Sequence, residues 1–292
     1  MKYGRAILGD NQFLGVNHGN QAKAVEQFER FKNPDAILEV IGFAYEAGVR
    51  DFMFTVHDRY CPVFDEIRRS NMFPGLFYTP CIPYAYKHWN KMNEIGLIGL
   101  LISTASQVKI KDALLGLLKL GVGDISGVIK CNVNIEINMC IGLPLRGVFL
   151  QNLAFDLLMA FELYGVIEKI SNVVDKNVGC KLGFITMNHS KAVDVLCNKI
   201  GLDRPWLCSN YNISGFRMHP SKEQSELSFA SGLTNNVAMS VFTASQRSPI
   251  ESLKHVVSKM HDGQIQSILF GSADRNNLRE NVKIINSENR SL

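Results

Sequence analysis

The chain has 292 residues, of which 46% are hydrophobic and 20% are charged. This balance provides enough apolar surface for a large core and excludes an intrinsically disordered chain. The 31 Lys and Arg residues against 27 Asp and Glu give a formal charge of +4, and no basic run concentrates it. A nucleic acid is therefore not expected as the main partner. We expect a small-molecule substrate instead.

Seven cysteines stand at positions 61, 81, 131, 140, 180, 197 and 208, and none forms a CxxC pair. An odd number of cysteines in a chain of this size favours a reduced, cytoplasmic compartment over a disulfide framework or structural zinc. The apolar segment 141–163 is interrupted by Arg146, Asp156 and Glu162, and the first residues contain no long apolar stretch. We therefore predict neither a membrane span nor a signal peptide.

Short apolar, β-branched runs alternate along the chain with polar loops and longer segments of helical periodicity, a pattern that is typical of successive βα units. The predicted strands are Arg5–Leu8, Asp51–Val56, Leu76–Cys81, Ser126–Cys131, Leu182–Thr186, Trp206–Ser209, Val237–Val241 and Ser267–Phe270. The stretch 143–178 is long enough for a helix pair or a helical insertion. No linker rich in proline or serine divides the chain.

Several predicted helices have recognisable first and last residues. Asn33 and Pro34 place a cap before a proline at the first helical position, and Gly48 ends that helix. Ser248 and Glu251 have the spacing of a capping box. These signals separate helices from strands where apolar periodicity alone does not.

Eight strands alternating with helices match the single-domain (β/α)8 barrel, or TIM barrel, for which about 250 residues is a typical size. The competing fold is an open, doubly wound sheet, which usually has a glycine fingerprint after its first strand. Here the first turn, Leu8–Gln12, contains neither GxGxxG nor a P-loop. We predict one α/β domain of the barrel type over residues 1–292, with 143–178 as its irregular part.

In such a barrel the reacting groups lie at the carboxyl ends of the strands. The second predicted strand is followed by His57, Asp58, Arg59 and Tyr60, which combine three titratable groups with an arginine. This composition is suited to a general acid or base with a nearby charge to tune it. His57, Asp58 and Tyr60 are the candidate catalytic residues.

The eighth predicted unit is the clearest candidate for an anion site. Its strand Ser267–Phe270 leads through Gly271 and Ser272 to the start of a helix, where free backbone N–H groups and the helix dipole favour a phosphate. Arg275 and Arg279 add positive charge. The alternative is an ordinary glycine turn followed by solvated arginines.

Several short strings resemble those of the aldo-keto reductase family and occur in that family's order. They are Gly48–Phe52 leading to Tyr60, Leu182–Asn188, Ser209–Asn212, Ala238–Phe242, and Phe270–Ser272 with Asn277–Asn281. The resemblance implies an oxidoreductase that uses NADP or NAD, with Tyr211 stacked on the nicotinamide. The residues that it implies for cofactor binding are Asn188, Tyr211, Ser240, Gly271, Ser272 and Asn281.

The chain departs from the family at its proton relay of aspartate, tyrosine, lysine and histidine. The aspartate position falls on Met53 or Phe54, the lysine near Cys81, and the histidine near Cys131 or Asn132. Only Tyr60 remains, and a tyrosine of pKa ~10 is a poor acid at neutral pH without such neighbours. His57 could replace it. The resemblance thus implies a divergent member with a rebuilt relay, acting on a small polyhydroxylated or sugar-like compound.

Two other functions fit the same residues. The first is an isomerase, lyase or hydrolase that holds a phosphorylated substrate at Gly271 and Ser272 and uses His57 and Asp58 for proton transfer, with His18 or Lys130. The second is a relative that binds a ligand and has lost catalysis. A metal held by His18, His57, His189 and His219 is not predicted, because few carboxylates lie at strand ends and neither HxH nor HExxH occurs.

Overall fold

The computed structural model describes residues 1–16, 21–83, 126–242 and 248–287. Eight parallel strands form a closed barrel in which each strand pairs with the next along the chain and the last pairs with the first. The strands are β1 (Ala6–Leu8), β2 (Asp51–Thr55), β3 (Phe77–Ile82), β4 (Val148–Leu150), β5 (Leu182–Thr186), β6 (Trp206–Asn210), β7 (Asn235–Met239) and β8 (Ser267–Phe270). This topology confirms the predicted (β/α)8 fold.

The described part of the chain contains ten α-helices. They are α1 (Gln21–Arg30), α2 (Pro34–Glu46), α3 (Cys61–Ser70), α4 (Ser126–Ile137), α5 (Asn152–Ala160), α6 (Tyr164–Val178), α7 (His189–Val193), α8 (Lys222–Phe229), α9 (Pro249–His261) and α10 (Arg275–Ile285). A π-helical segment, Asp194–Lys199, continues α7. Within the described ranges, no helix has the length and apolar character needed to cross a membrane.

The fourth strand is not where the sequence pattern placed it. Residues Ser126–Cys131 form the first turns of α4, and the strand is Val148–Leu150. A short apolar, β-branched run is compatible with a strand or with a helix that packs on its neighbours, and α4 packs against α6. The predicted helix pair does occur within 143–178, as α5 and α6, but β4 precedes it.

The predicted helix ends are confirmed at the positions where capping residues were recognised. The side chain of Asn33 accepts a hydrogen bond from the backbone N–H of Asp35, and Pro34 is the first residue of α2. Ser248 and Glu251 form both hydrogen bonds of the capping box. Gly48 has a φ of 100°, the left-handed backbone that ends a helix without strain only at glycine.

The interior of the barrel is filled by side chains, in a cluster separate from the layer between sheet and helices. Its buried members are Tyr3, Ile7, Met53, Cys81, Phe149, Ile185, Trp206, Cys208 and Val237. Phe149 of β4 fits there because its partner in the register of β5 is Gly183. A Cβ atom at residue 183 would lie 2.5 Å from the Phe149 ring.

We therefore expect Gly183→Ala to lower the free energy of unfolding by about 1–3 kcal/mol, because it overpacks the barrel interior. Urea denaturation followed by circular dichroism measures this change. Gly165→Ala is the matched control: a Cβ at this position of α6 meets no atom within 4 Å. The control should be neutral or slightly stabilising. Equal unfolding midpoints for the two variants would contradict the packing argument.

A buried ion pair joins three chain segments at the amino-terminal end of the barrel. Asp51, the first residue of β2, is fully buried. Its Oδ1 accepts a hydrogen bond from Nε of Arg146 at 2.7 Å, and its Oδ2 accepts one from the backbone N–H of Gly4 at 2.9 Å. The Arg146 guanidinium lies 3.5 Å from the centroid of the Phe77 ring. Both carboxylate oxygens are therefore satisfied despite their burial.

The seven cysteines are all free thiols. Cys81 and Cys208 lie inside the barrel, where burial raises the pKa of each thiol above its ordinary value. Both side chains are therefore protonated at neutral pH and are poor nucleophiles or metal ligands.

Candidate active site

The carboxyl ends of the eight parallel strands open at one end of the barrel, which we call the mouth. Tyr211 follows β6 and Gly271 follows β8, so both predicted cofactor-binding residues belong to loops at this end of the barrel. Asp10 and Gln12 follow β1, and Gln151 follows β4. These positions are where barrel enzymes carry their reacting groups.

Asp10 is a buried carboxyl group at the mouth. It is 7% exposed, and its Oδ2 accepts hydrogen bonds from the Thr55 backbone N–H at 2.7 Å and from the Tyr60 hydroxyl at 3.1 Å. Burial raises the pKa of Asp10 to about 6, although both hydrogen bonds act in the opposite direction. A carboxyl group with this pKa can donate or accept a proton near neutral pH.

Tyr60 supports Asp10 from beneath and is closed to solvent. Its ring is fully buried, with ring centroids 5.4 Å from Phe54 and 5.7 Å from Phe64. Burial, followed by the charge of Asp10, raises the pKa of Tyr60 well above its ordinary value. The hydroxyl therefore stays protonated and donates to Asp10, so Tyr60 positions the carboxyl group.

The other two predicted catalytic residues lie on the turn between β2 and α3. His57 is half-buried and precedes a short 3₁₀ turn, where its Nδ1 accepts a hydrogen bond from the Arg59 N–H at 3.0 Å. Asp58 is exposed on that turn. The predicted cluster is thus divided, because Tyr60 faces the buried Asp10 while Asp58 faces solvent.

The strand ends that correspond to the family's relay carry neutral side chains. Thr55 ends β2 and is paired in register with Cys81 of β3. Gln151 follows β4, which corrects the expectation of Cys131 or Asn132: both lie in α4. Gln151 Nε2 donates a hydrogen bond to Thr55 Oγ1 at 3.2 Å. This pair gives the mouth an amide and a hydroxyl in place of ionisable groups.

Two residues predicted to bind a cofactor, Tyr211 and Asn188, are occupied by contacts within the chain. Tyr211 is fully buried, with its ring 4.8 Å from that of Phe229, so neither face is open to a nicotinamide. Asn188 caps α7 through its side-chain oxygen. Ser240 follows β7 with a φ of 55°, and Asn281 lies half-buried in α10.

The turn after β8 is the glycine turn that was predicted, but its charges differ from the prediction. Gly271 is exposed, and Ser272 Oγ accepts a hydrogen bond from the N–H of Asp274 at 3.3 Å. Asp274 caps α10, which places a carboxylate where an anion would bind. Arg275 is paired with Glu46 at 2.6 Å. The charge of Arg275 is therefore balanced, whereas Arg279 lies exposed on α10.

Two buried amide oxygens at the mouth have no hydrogen-bond partner among the described residues, Oε1 of Gln12 and Oδ1 of Asn210. The nitrogens of both amides are used: Gln12 Nε2 donates to Gly9 O at 2.8 Å, and Asn210 Nδ2 donates to Arg217 O at 3.0 Å. A Cβ at Gly271 would overlap Gln12 Oε1, so glycine leaves that oxygen room. Both oxygens fit the N–H groups of a carboxamide, such as that of nicotinamide.

The four histidines that follow predicted strands are His18, His57, His189 and His219. His18 lies outside the described residues. His189 is buried, its ring nitrogens lie 2.8 Å from Ser228 Oγ and 3.0 Å from Asn236 Oδ1, and burial lowers its pKa to about 4. In the ranges that the structure covers, no group of three or more His, Cys, Asp or Glu side chains could hold a metal ion.

Asp10 stands in the turn Leu8–Gln12, among other polar residues that follow the first predicted strand. The signal that singles it out is a carboxylate placed immediately after a buried strand, within the Gly9–Gln12 turn. Gln151 was missed because β4 was misplaced. Neither signal separates a functional side chain from a capping residue without the fold.

No family model and no curated protein matches this chain. Several solved structures match it in fold. A Pseudomonas aeruginosa protein described as an aldo-keto reductase superposes with a TM-score of 0.57 at 9% identity, over 96% of this chain and 89% of that one. A second structure from that organism, with the same description, gives 0.56 at 10% identity over 96% and 89%. An aldo/keto reductase from Brucella melitensis gives 0.53 at 10% identity, over 88% of this chain and 86% of that one.

These similarities establish the fold. The chain adopts an aldo-keto-reductase-like (β/α)8 barrel, as the ordered sequence strings implied. At 9–10% identity, these structural similarities show the fold alone. The chemistry is therefore inferred from the residues at the mouth.

Proposed function

We propose that this protein is an oxidoreductase of the aldo-keto reductase type, which interconverts a carbonyl and an alcohol at the barrel mouth with Asp10 as its acid–base residue. The observation that carries the proposal is the buried Asp10 carboxyl group with a pKa of about 6 at the mouth of this fold. Such a group replaces the lysine, histidine and aspartate that the family's relay would need.

The chain's part in the reaction is the transfer of one proton. In reduction, Asp10 donates its carboxyl proton to the carbonyl oxygen, and in oxidation its carboxylate accepts the alcohol proton. The Thr55 N–H and the Tyr60 hydroxyl both bond to Oδ2. A bound nicotinamide cofactor, NADP or NAD, would supply or take the hydride.

The cofactor-binding residues follow from the unsatisfied groups. Asn210 would hold the carboxamide through its amide oxygen, and Gln12 Oε1, which lies beside Gly271, would accept a hydrogen bond from another donor of the cofactor. The hydroxyl of Thr55 and the amide of Gln151 would bind substrate hydroxyls. A small polyhydroxylated or sugar-like substrate suits these neutral polar groups.

The nicotinamide assignment predicts a measurable stabilisation. NADPH or NADH at millimolar concentration should raise the melting temperature, because a ligand at about 100 times its Kd stabilises the folded state by about 2.7 kcal/mol. Differential scanning fluorimetry measures the shift. Asn210→Ala should reduce it, whereas Asn177→Ala, at an exposed position of α6, should leave it unchanged. The absence of a shift with both nucleotides would refute the cofactor assignment.

A second function is favoured by the buried ring of Tyr211. This burial opposes a dinucleotide in the position that the family resemblance implies. An isomerase or lyase would keep Asp10 as the proton carrier and need no nucleotide. A melting shift with sugar phosphates, but with neither NADPH nor NADH, would support this second function.

A further inference from the structure

A pocket of about 470 Å³ lies beside the barrel mouth, between α5, the end of β5 and the loop that follows β6. We call it the α5–α7 pocket. Its lining includes Asp156, Met159, Met187, Lys191, His219 and Pro220. Its volume falls within the range of small-molecule sites, about 300–1,000 Å³.

Asp156 supplies the pocket with a fixed carboxyl group. Its Oδ1 accepts a hydrogen bond from the Thr186 hydroxyl at 2.6 Å, and its Oδ2 accepts one from the Met187 N–H at 3.1 Å. The Asn188 N–H in turn donates to Thr186 Oγ1 at 2.9 Å, so the network is anchored in the backbone after β5. Each carboxyl oxygen keeps a lone pair for a further donor.

Two basic side chains share the pocket with this carboxyl group. The His219 N–H donates to Met187 O at 3.3 Å, and Ser225 Oγ donates to His219 O at 3.1 Å, so the backbone of His219 is held from both sides. Its side chain is exposed, as is that of Lys191 on α7. Burial raises the pKa of Asp156, and the charges of His219 and Lys191, which line the same pocket, act in the opposite direction.

The ligand must satisfy an acceptor and two basic groups within one small volume. A neutral polyol would use only Asp156, and a simple anion would use only Lys191 and His219. A molecule with a carboxylate next to hydroxyl groups uses all three, with charge-assisted hydrogen bonds at both ends. Met159, Met187 and Pro220 offer apolar surface to its carbon skeleton.

We propose that the α5–α7 pocket binds a small hydroxylated carboxylic acid, such as a sugar acid, with the carboxylate on Lys191 and His219 and a hydroxyl on Asp156. This site is separate from Asp10. β5 is four strands away from β1 in an eight-strand ring, so the pocket lies on the opposite side of the mouth.

Isothermal titration calorimetry with D-glucuronate tests the proposal, and D-glucitol and acetate are the partial ligands. We expect glucuronate to bind and each partial ligand to bind at least about tenfold more weakly, because each loses one set of charge-assisted hydrogen bonds. Lys191→Met and His219→Gln should weaken glucuronate binding by about tenfold or more. Both side chains are exposed, so these variants should fold normally.

Two controls make the result specific. Lys254→Met removes an exposed lysine of α9 and should leave the affinity unchanged. Asp10→Asn should also leave it unchanged, so failure of the proposed oxidoreductase activity would not affect this test. The proposal is overturned if glucuronate gives no binding heat at millimolar concentration, if acetate or glucitol binds as tightly, or if Lys191→Met behaves like Lys254→Met.

Discussion

Asp10→Asn should lower turnover by ~10²–10⁴-fold while the protein stays folded, because it removes the proton that the reaction needs. The asparagine oxygen can still accept hydrogen bonds from the Thr55 N–H and the Tyr60 hydroxyl, so the local structure has little reason to change. Steady-state kinetics of nucleotide-dependent carbonyl reduction measures the loss. Asp203→Asn, at an exposed loop position, is the control and should keep full activity.

The pH dependence gives this prediction a second readout. Because burial raises the pKa of Asp10 from 3.8 to about 6, the reduction rate should fall as pH rises through about 6, and the rate of alcohol oxidation should rise. Asp10→Asn should abolish this limb. Tyr60→Phe should move it to higher pH, since the lost hydrogen bond stabilises the carboxylate.

The raised pKa of Asp10 also affects the stability of the fold. The direction of this effect distinguishes a catalytic role of Asp10 from a structural one. A carboxyl group whose folded pKa is raised stabilises the fold below its unfolded pKa of 3.8, and this contribution is lost as pH rises through about 6. At mildly alkaline pH, Asp10→Asn should therefore be at least as stable as the parent protein. A variant that is both inactive and strongly destabilised would indicate a structural role instead.

Asp51→Ala should lower the free energy of unfolding by about 3–5 kcal/mol, since it leaves the Arg146 guanidinium partly buried without its counterion. It also removes the acceptor of the Gly4 N–H. Urea denaturation measures the effect. Asp175→Ala breaks an exposed ion pair with Lys181, at 2.9 Å, and should cost at most about 1 kcal/mol. Equal losses in the two variants would show that burial of the pair has no energetic consequence.

The strands could be predicted where an apolar run is bounded by turns, and β5 and β8 have the predicted limits. β4 could not. It has only three residues, Val148–Leu150, and Phe149 is accommodated by a glycine 34 positions away. The run at 126–131 is also apolar and β-branched in part, yet it is helical and its helix packs against α6.

The catalytic candidates show a second limit. Tyr60 and Asp10 are 50 positions apart, and the hydrogen bond between them exists because the 3₁₀ turn after β2 directs the tyrosine beneath the end of β1. The pKa shift of Asp10 arises from desolvation, which depends on the packed structure. A sequence gives the residue types at the strand ends, but it does not show which of these side chains become desolvated on folding.

The closure of the barrel has a consequence for biosynthesis. β1 pairs with β2 only at Leu8, whereas all three of its residues pair with β8, more than 250 positions later. During translation, the edge of β1 that pairs with β8 has no partner until almost all of the barrel has been synthesised. During that interval, a nascent chain presents a ready template for another polypeptide, and a chaperone that shields it should improve the yield of active protein.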